Sequence, residues 1–162
     1  MKFVGFGDSG PVETPCVNEL RAFAYRLLGR REYSVFELGQ RIRQKWPGAE
    51  GIDGLVEELL EALQEESLLS DERFVESFVR SRVSRHQGPL KISAALREKG
   101  VSDPLISKGL EAFSGEWSGL AREWLQRQHA GPIDFKLKQK LYRRLANRGF
   151  THSQAMDALN QM

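Results

Sequence analysis

The feature that most constrains the fold is a short junction that occurs twice, 49 residues apart. Lys99-Gly100-Val101-Ser102 and Arg148-Gly149-Phe150-Thr151 each combine a basic, a glycine, a hydrophobic and a hydroxyl residue. A basic side chain favours a helix C-terminus, glycine adopts the left-handed conformation after it, and Ser or Thr caps the next helix. The same offset pairs apolar positions around the junction: Ile92 with Leu141, Leu96 with Leu145, Ile106 with Ala155, and Leu110 with Leu159. The junctions therefore predict a repeating helical unit.

Helical periodicity continues along most of the chain. Apolar residues recur at three- and four-residue spacing, and no segment shows a sustained alternation of period two. Proline-containing breaks at Trp46-Pro47, Gly88-Pro89 and Gly131-Pro132 separate the helices. The pattern predicts an all-α fold of three tandem three-helix repeats, stacked into an elongated, curved array.

Capping signals locate several helix starts. Thr14-Pro15 predicts the beginning of the first helix, because proline is tolerated at the first helical position. Ser34 with Glu37, and Thr151 with Gln154, have the spacing of capping boxes.

The domain boundaries follow from these breaks. We expect a flexible N-terminal tail at 1–13, since this segment is rich in Gly, Pro and polar residues. We expect a first repeat at 14–69, a second at 70–115 and a third at 116–162. The first repeat is divergent because 46–51 is an insertion relative to the other two, as is common in the terminal units of helical arrays.

Charge is segregated along the chain although the net charge is only +2. Residues 47–78 contain one basic and ten acidic side chains, a net charge of −9. Residues 79–100 and 116–150 each have a net charge of +5. Such segregation favours a partner that is itself polar and directional.

Two cationic clusters are candidate contact surfaces for RNA, DNA or an acidic protein. Three- and four-residue spacing predicts that most of the second cluster forms one stripe on a helix, which suits contact with phosphates. A solvated face without a ligand is the alternative for either cluster. The first cluster consists of Arg80, Arg82, Arg85 and Lys91, and the second of Lys136, Lys138, Lys140, Arg143, Arg144 and Arg148.

Signals for catalysis and for metals are weak. Gly5–Gly10 matches a dinucleotide-binding motif by letter but lacks the flanking strand and helix that such a motif requires. His86, His129 and His152 lack the paired spacing of a metal site, and Cys16 has no neighbouring base. We therefore expect no enzymatic activity, no catalytic residue, no metal and no cofactor.

Cysteine content and hydropathy indicate the compartment. A single cysteine offers no internal disulfide, and no apolar run reaches the roughly 20 residues that span a bilayer. We expect a cytoplasmic, monomeric protein without a membrane segment.

An ordered set of motif residues runs along the chain within segments such as Leu68-Leu69-Ser70-Asp71-Glu72-Arg73-Phe74 and Gly88-Pro89-Leu90-Lys91-Ile92, and consists of Asp71, Arg73, Phe74, Gly88, Pro89, Ile92, Gly100, Gly149 and Phe150. This ordered set resembles the RecX family, regulators of the RecA recombinase, and we call its members the family-motif residues. His86-Gln87 departs from the family pattern, which commonly has a glycine and an aromatic residue there.

The resemblance implies a fold of tandem three-helix repeats and a function in DNA repair and the SOS response. It implies binding to RecA, chiefly as the filament on single-stranded DNA. It also implies inhibition of filament extension, ATP hydrolysis, strand exchange and co-protease activity. The sequence does not apportion the basic residues between RecA and DNA.

Other functions remain open at the level of sequence. One is a freestanding helical array that binds single-stranded nucleic acid without RecA. Another is a protein scaffold that uses the acidic segment 47–78 as its contact surface. An unrecognised hydrolase is the enzymatic alternative, and the absence of a convergent catalytic set argues against it.

Overall fold

The protein is described here over residues 10–162 by a computed structural model, so the segment 1–9, including most of the Gly5–Gly10 motif, lies outside the described residues. Within 10–162 the chain forms nine α-helices and no β-strand, which confirms the predicted all-α class. None of these helices combines the length and apolar character needed to cross a membrane. The helices are α1 (Val17–Leu28), α2 (Val35–Lys45), α3 (Ile52–Glu65), α4 (Asp71–Ser84), α5 (Pro89–Glu98), α6 (Asp103–Glu111), α7 (Trp117–Gln128), α8 (Phe135–Asn147) and α9 (His152–Asn160).

The chain divides into two compact units, with unit 1 ending at Ser70 and unit 2 beginning at Asp71. In unit 1, helices α1, α2 and α3 pack against one another around a core that includes Leu20, Leu38, Val56 and Leu63. Val12 already packs against this core, ahead of the first helix.

Unit 2 contains two groups of three helices around a continuous core. Helix α4 packs against α5 and α6, α5 packs against α6, and both α7 and α8 pack against α9. Phe74, Ile92 and Leu96 of the first group share the core with Leu145 and Phe150 of the second. The residue limits of the N-terminal tail and of all three repeats stay a prediction.

The two repeated junctions have the geometry that their sequences predict. Gly100 and Gly149 have φ angles of +74° and +96°, in the region that favours glycine. The amide of Val101 donates to the carbonyl oxygen of Leu96, and that of Phe150 to the carbonyl oxygen of Leu145, each at 3.2 Å. The hydrophobic residue after each glycine is buried. These are Schellman-type helix ends, and they turn the chain sharply between α5 and α6 and between α8 and α9.

The predicted caps of α2 and α9 agree with the structure, whereas Ser102 at the start of α6 makes no side-chain cap hydrogen bond and the first helix begins later than predicted. The Ser34 hydroxyl accepts the Glu37 amide at 3.1 Å, and Thr151 forms a full capping box with Gln154. The predicted start at Thr14 is wrong, because Cys16 is extended and α1 begins at Val17. The Thr14 hydroxyl instead donates to the carbonyl oxygen of Glu50 at 2.8 Å.

Candidate functional site

Parts of the two predicted cationic clusters, Arg85 and Lys91 of the first and Arg148 of the second, meet where the α4–α5 turn contacts the end of α8. The Gly88 amide donates to the carbonyl oxygen of Arg148 at 2.7 Å, and the Leu90 amide donates to that of Gly149 at 2.9 Å. The backbones approach so closely that a Cβ atom at Gly88 would lie 2.3 Å from the carbonyl carbon of Gly149. We call this contact the Gly88–Gly149 junction.

Arg148 has an internal role at this junction. Its Nε donates to the carbonyl oxygen of His86 at 3.0 Å, and its guanidinium also donates to the carbonyl oxygen of Arg85. The guanidinium carbon lies 5.2 Å from the ring centroid of Trp124. Burial, and secondarily the positive charge of Arg144, lower the pKa of Arg148 from its usual value. Arg148 therefore holds the two helical groups together, and its guanidinium is not displayed for a ligand.

Trp124 serves as a platform for a second arginine of α8. The guanidinium carbon of Arg144 lies 4.9 Å from the Trp124 ring centroid, and its Nη2 donates to Oε1 of Gln128 at 2.9 Å. Trp124 itself is buried. Stacking and one neutral partner orient Arg144 while its positive charge stays uncompensated at the surface.

The remaining basic residues of α8 face outward. Helix α8 contains no acidic side chain, and Lys136, Lys140 and Arg143 are exposed without a hydrogen-bond or ion-pair partner among residues 10–162. Together with Arg144 they are called the α8 basic strip. At about 1.5 Å per residue, the step from Lys136 to Arg143 extends along the helix for about 10 Å. The strip is thus a local, uncompensated positive surface that suits an anionic partner.

The first cluster does not form one surface. Arg80 lines a groove together with Glu72 and Glu76, so acidic side chains share its surroundings. Lys108 also lines this groove, and its ammonium, 2.7 Å from a Glu72 carboxylate oxygen, lowers the pKa of that carboxyl.

The other members of the first cluster are placed differently. Arg82 is half-buried, with its guanidinium carbon 4.6 Å from the Phe78 ring centroid. Arg85 and Lys91 are exposed, and both lie next to the Gly88–Gly149 junction, where Cβ of Lys91 faces Gly149. Only these two members adjoin the end of α8.

The family-motif residues mostly build the fold. Phe74, Ile92 and Phe150 belong to the core of unit 2, and Pro89 is the first residue of α5. Gly88 and Gly149 form the junction, and Gly100 ends α5 in the left-handed conformation. Asp71 and Arg73 lie in the first turn of α4. The motif is therefore explained by packing and turn geometry.

Sequence reasoning missed a groove between α8 and α9. Its volume is about 660 Å³. Phe135 is 76% exposed at this groove, and the Tyr142 hydroxyl lies 2.8 Å from Nδ1 of His152. The only sequence signal is that Phe135 lies outside the apolar stripe formed by Leu137 and Leu141. We call this the α8–α9 groove, and its lining residues are Phe135, Lys138, Gln139, Tyr142, Arg143, His152, Met156 and Leu159.

Comparisons with known proteins agree with this architecture. Residues 70–110 match a family model described as RecX, second three-helix domain. The crystal structure of RecX from Lactobacillus salivarius superposes with a TM-score of 0.75 at 18% sequence identity, covering 90% of this chain and 95% of that one. This likeness supports the fold.

Sequence relatives extend the match over most of the chain. The regulatory protein RecX of Halorhodospira halophila is 41% identical over 142 residues, covering 86% of this chain and 85% of the relative. That of Chromohalobacter salexigens is 42% identical over 137 residues, covering 84% and 88% respectively. The resemblance seen in the motifs is thereby confirmed, and the chain belongs to the RecX family of regulatory proteins.

Proposed function

We propose that this protein is a cytoplasmic, monomeric regulator of a RecA recombinase. It binds RecA and its filament on single-stranded DNA, and inhibits filament extension, ATP hydrolysis, strand exchange and co-protease activity. The observation that carries this proposal is the relationship, over more than four-fifths of the chain, to proteins named regulatory protein RecX. The RecA partner follows from membership of that family.

The α8 basic strip supports an anionic partner. Lys136, Lys140 and Arg143 have no acidic neighbour to neutralise them on α8, so binding a phosphate or a carboxylate would not require an existing ion pair to break. Arg85 and Lys91 extend the positive surface beside the Gly88–Gly149 junction. These residues form the proposed contact surface, and Arg148 is left out of it because its guanidinium is engaged internally.

The proposal contains no catalytic step. Among residues 10–162 the buried polar side chains are Ser34, Glu37 and His86. Ser34 caps α2, Glu37 pairs with Arg31 at 2.7 Å, and Nε2 of His86 lies 3.2 Å from a Glu123 oxygen. Each has a structural partner, so these three groups are assigned to the fold and the proposal gives none of them a catalytic role.

The test is a titration of RecA ATPase activity on single-stranded DNA. Substoichiometric amounts of the protein should depress the steady-state rate, because one inhibitor bound to a filament affects many protomers. The double variant Lys140→Gln, Arg143→Gln should inhibit less well. Arg26→Gln, Arg41→Gln is the matched control, since it removes the same charge from exposed positions in unit 1. An unchanged ATPase rate at every ratio would refute the proposal.

A freestanding single-strand-binding protein is the second candidate. The uncompensated charge of α8 favours it, because phosphate contacts alone give DNA affinity. Gel-shift experiments on single-stranded DNA, with and without RecA, separate the two functions. Binding that RecA neither strengthens nor alters, together with an unaffected ATPase rate, would favour the freestanding protein.

A further inference from the structure

We propose that the α8–α9 groove binds the bases of single-stranded DNA, with Phe135 as a stacking surface and the α8 basic strip contacting the adjoining phosphates. The choice of DNA rests on the proposed function, whereas the stacking mode rests on the groove. The groove residues other than Lys138 and Arg143 are absent from the cationic clusters predicted from sequence.

The aromatic side chains of the groove are placed for stacking. Phe135 leaves 76% of its surface exposed, so its ring contributes little to the core. The Tyr142 ring is held by the contact of its hydroxyl with His152, and the two rings meet edge to face with centroids 5.5 Å apart. Three planar side chains therefore line one groove, and at least two of them are held in a fixed orientation.

The charges around these rings match a nucleic acid backbone. Lys138 and Arg143 line the groove, and no acidic residue of the described part of the chain does. Lys138 donates to Oδ1 of Asn160 at 3.0 Å, and this neutral partner leaves its positive charge uncompensated. Lys140, one turn of α8 from Lys136 and Arg143, is exposed and unpaired among the described residues. Aromatic side chains beside cations are the combination that binds single strands without sequence preference.

The size and lining of the groove favour a single strand over its competitors. A volume of about 660 Å³ is large enough for unpaired bases, and duplex DNA would not present the faces of its bases. An acidic peptide could form ion pairs with Lys138 and Arg143, but most peptide side chains have no planar face to stack on the ring of Phe135. We therefore commit to unpaired bases as the occupant and make a peptide occupant an outcome of the test.

The experiment measures binding of the full chain to a fluorescein-labelled oligothymidylate and to an abasic sugar-phosphate chain of equal length. The wild type should bind the oligothymidylate more tightly. Phe135→Ala should weaken that binding by at least about fivefold, the lower end of what one base–aromatic stack contributes. The same substitution should leave binding of the abasic chain unchanged, and Phe135→Tyr should restore the preference for bases.

The matched control is Phe36→Ala, because Phe36 is also an exposed phenylalanine and lies on α2 in unit 1. The Phe36→Ala protein should bind the oligothymidylate and the abasic sugar-phosphate chain with the affinity of the wild type. Equal weakening by Phe36→Ala, no weakening by Phe135→Ala, or no wild-type binding to free oligothymidylate would each overturn the groove proposal. Weaker binding of Phe135→Ala to DNA-free RecA, with DNA affinity unchanged, would instead assign the groove to a protein partner.

The two proposals fail separately. If the Phe135→Ala protein inhibits RecA ATPase as strongly as the wild type and binds DNA with unchanged affinity, the groove proposal is refuted and the regulator proposal stands. If the wild type binds DNA with a preference for bases but has no effect on RecA ATPase, the regulator proposal is refuted and the groove proposal stands.

Discussion

The amide of Gly88 donates a hydrogen bond to the carbonyl oxygen of Arg148 at 2.7 Å and thereby joins the two helical groups of unit 2 through their backbones. The Arg148 side chain returns to the same turn and donates to the carbonyl oxygens of Arg85 and His86. One residue thus accepts through its main chain and donates through its side chain. The alignment of α4 and α5 with α8 depends on this reciprocal contact.

Gly88→Ala should destabilise the protein by about 1–3 kcal/mol, the usual cost of forcing extra atoms into a close-packed site. The reason is steric, because the new methyl group would lie 2.3 Å from main-chain atoms of Gly149 and Phe150. Urea unfolding followed by circular dichroism gives the free energy of unfolding. Gly119→Ala is the control, since a Cβ atom there meets nothing within 4 Å and lies inside α7. It should be neutral or stabilising, and equal destabilisation of both variants would contradict the prediction.

Arg148→Lys should lower stability by about 1–3 kcal/mol, because a lysine ammonium cannot reproduce two carbonyl contacts and the stacked guanidinium together. Nε of Arg148 lies 3.0 Å from the carbonyl oxygen of His86, and the guanidinium carbon lies 5.2 Å from the Trp124 ring centroid. The charge is retained, so the salt dependence of any DNA binding should not change. Thermal unfolding and a salt titration of DNA affinity measure the two quantities.

Arg143→Lys is the matched control for Arg148→Lys, because Arg143 is exposed and has no partner among the described residues. It should leave the melting temperature unchanged. A destabilised Arg143→Lys, or an unaffected Arg148→Lys, would show that the guanidinium contacts do not hold the junction.

The sequence predicts the local features of the fold because these depend on neighbouring residues. The left-handed Gly100 and Gly149, the capping of α9 by Thr151 and the start of α5 at Pro89 are all readable from short segments. The start of the first helix is not predictable in this way: α1 begins at Val17 rather than at Thr14, whose hydroxyl bonds to the carbonyl oxygen of Glu50, 36 residues away.

The candidate site is less predictable because it depends on contacts distant in sequence. Arg148 has the spacing of a surface cation, yet its partner His86 lies 62 residues earlier in the chain. Arg80 likewise belongs to a basic run in sequence but lines a groove together with Glu72 and Glu76 in space. In sequence Phe135 only marks the start of a helix, and the packing of α8 against α9 is what shows that its ring is 76% exposed beside a groove.

Leu96→Ala and Leu145→Ala should destabilise the protein by similar amounts, about 2–5 kcal/mol each, as buried leucines do when truncated to alanine. The two leucines are separated by the 49-residue offset, are fully buried, and accept the hydrogen bond of the residue after Gly100 and Gly149, respectively. Urea unfolding measures both. Leu90→Ala is the control, since Leu90 is 57% exposed and its truncation leaves no cavity. A large difference between the two core variants would mean that the offset does not mark equivalent positions.

Neutralising the α8 basic strip should flatten the salt dependence of DNA binding. Lys140→Gln and Arg143→Gln should each reduce the slope of log affinity against log salt by about 0.7 for every single-strand phosphate that the variant no longer neutralises. Affinity is measured by fluorescence anisotropy across a series of salt concentrations. Phe135→Ala should lower the affinity at every concentration without changing the slope, because stacking releases no counterion. Arg26→Gln, at an exposed position on α1, should change neither quantity. A slope unchanged by both strip variants would mean that α8 faces a protein surface or solvent, and the DNA contacts of this regulator would then have to come from other residues.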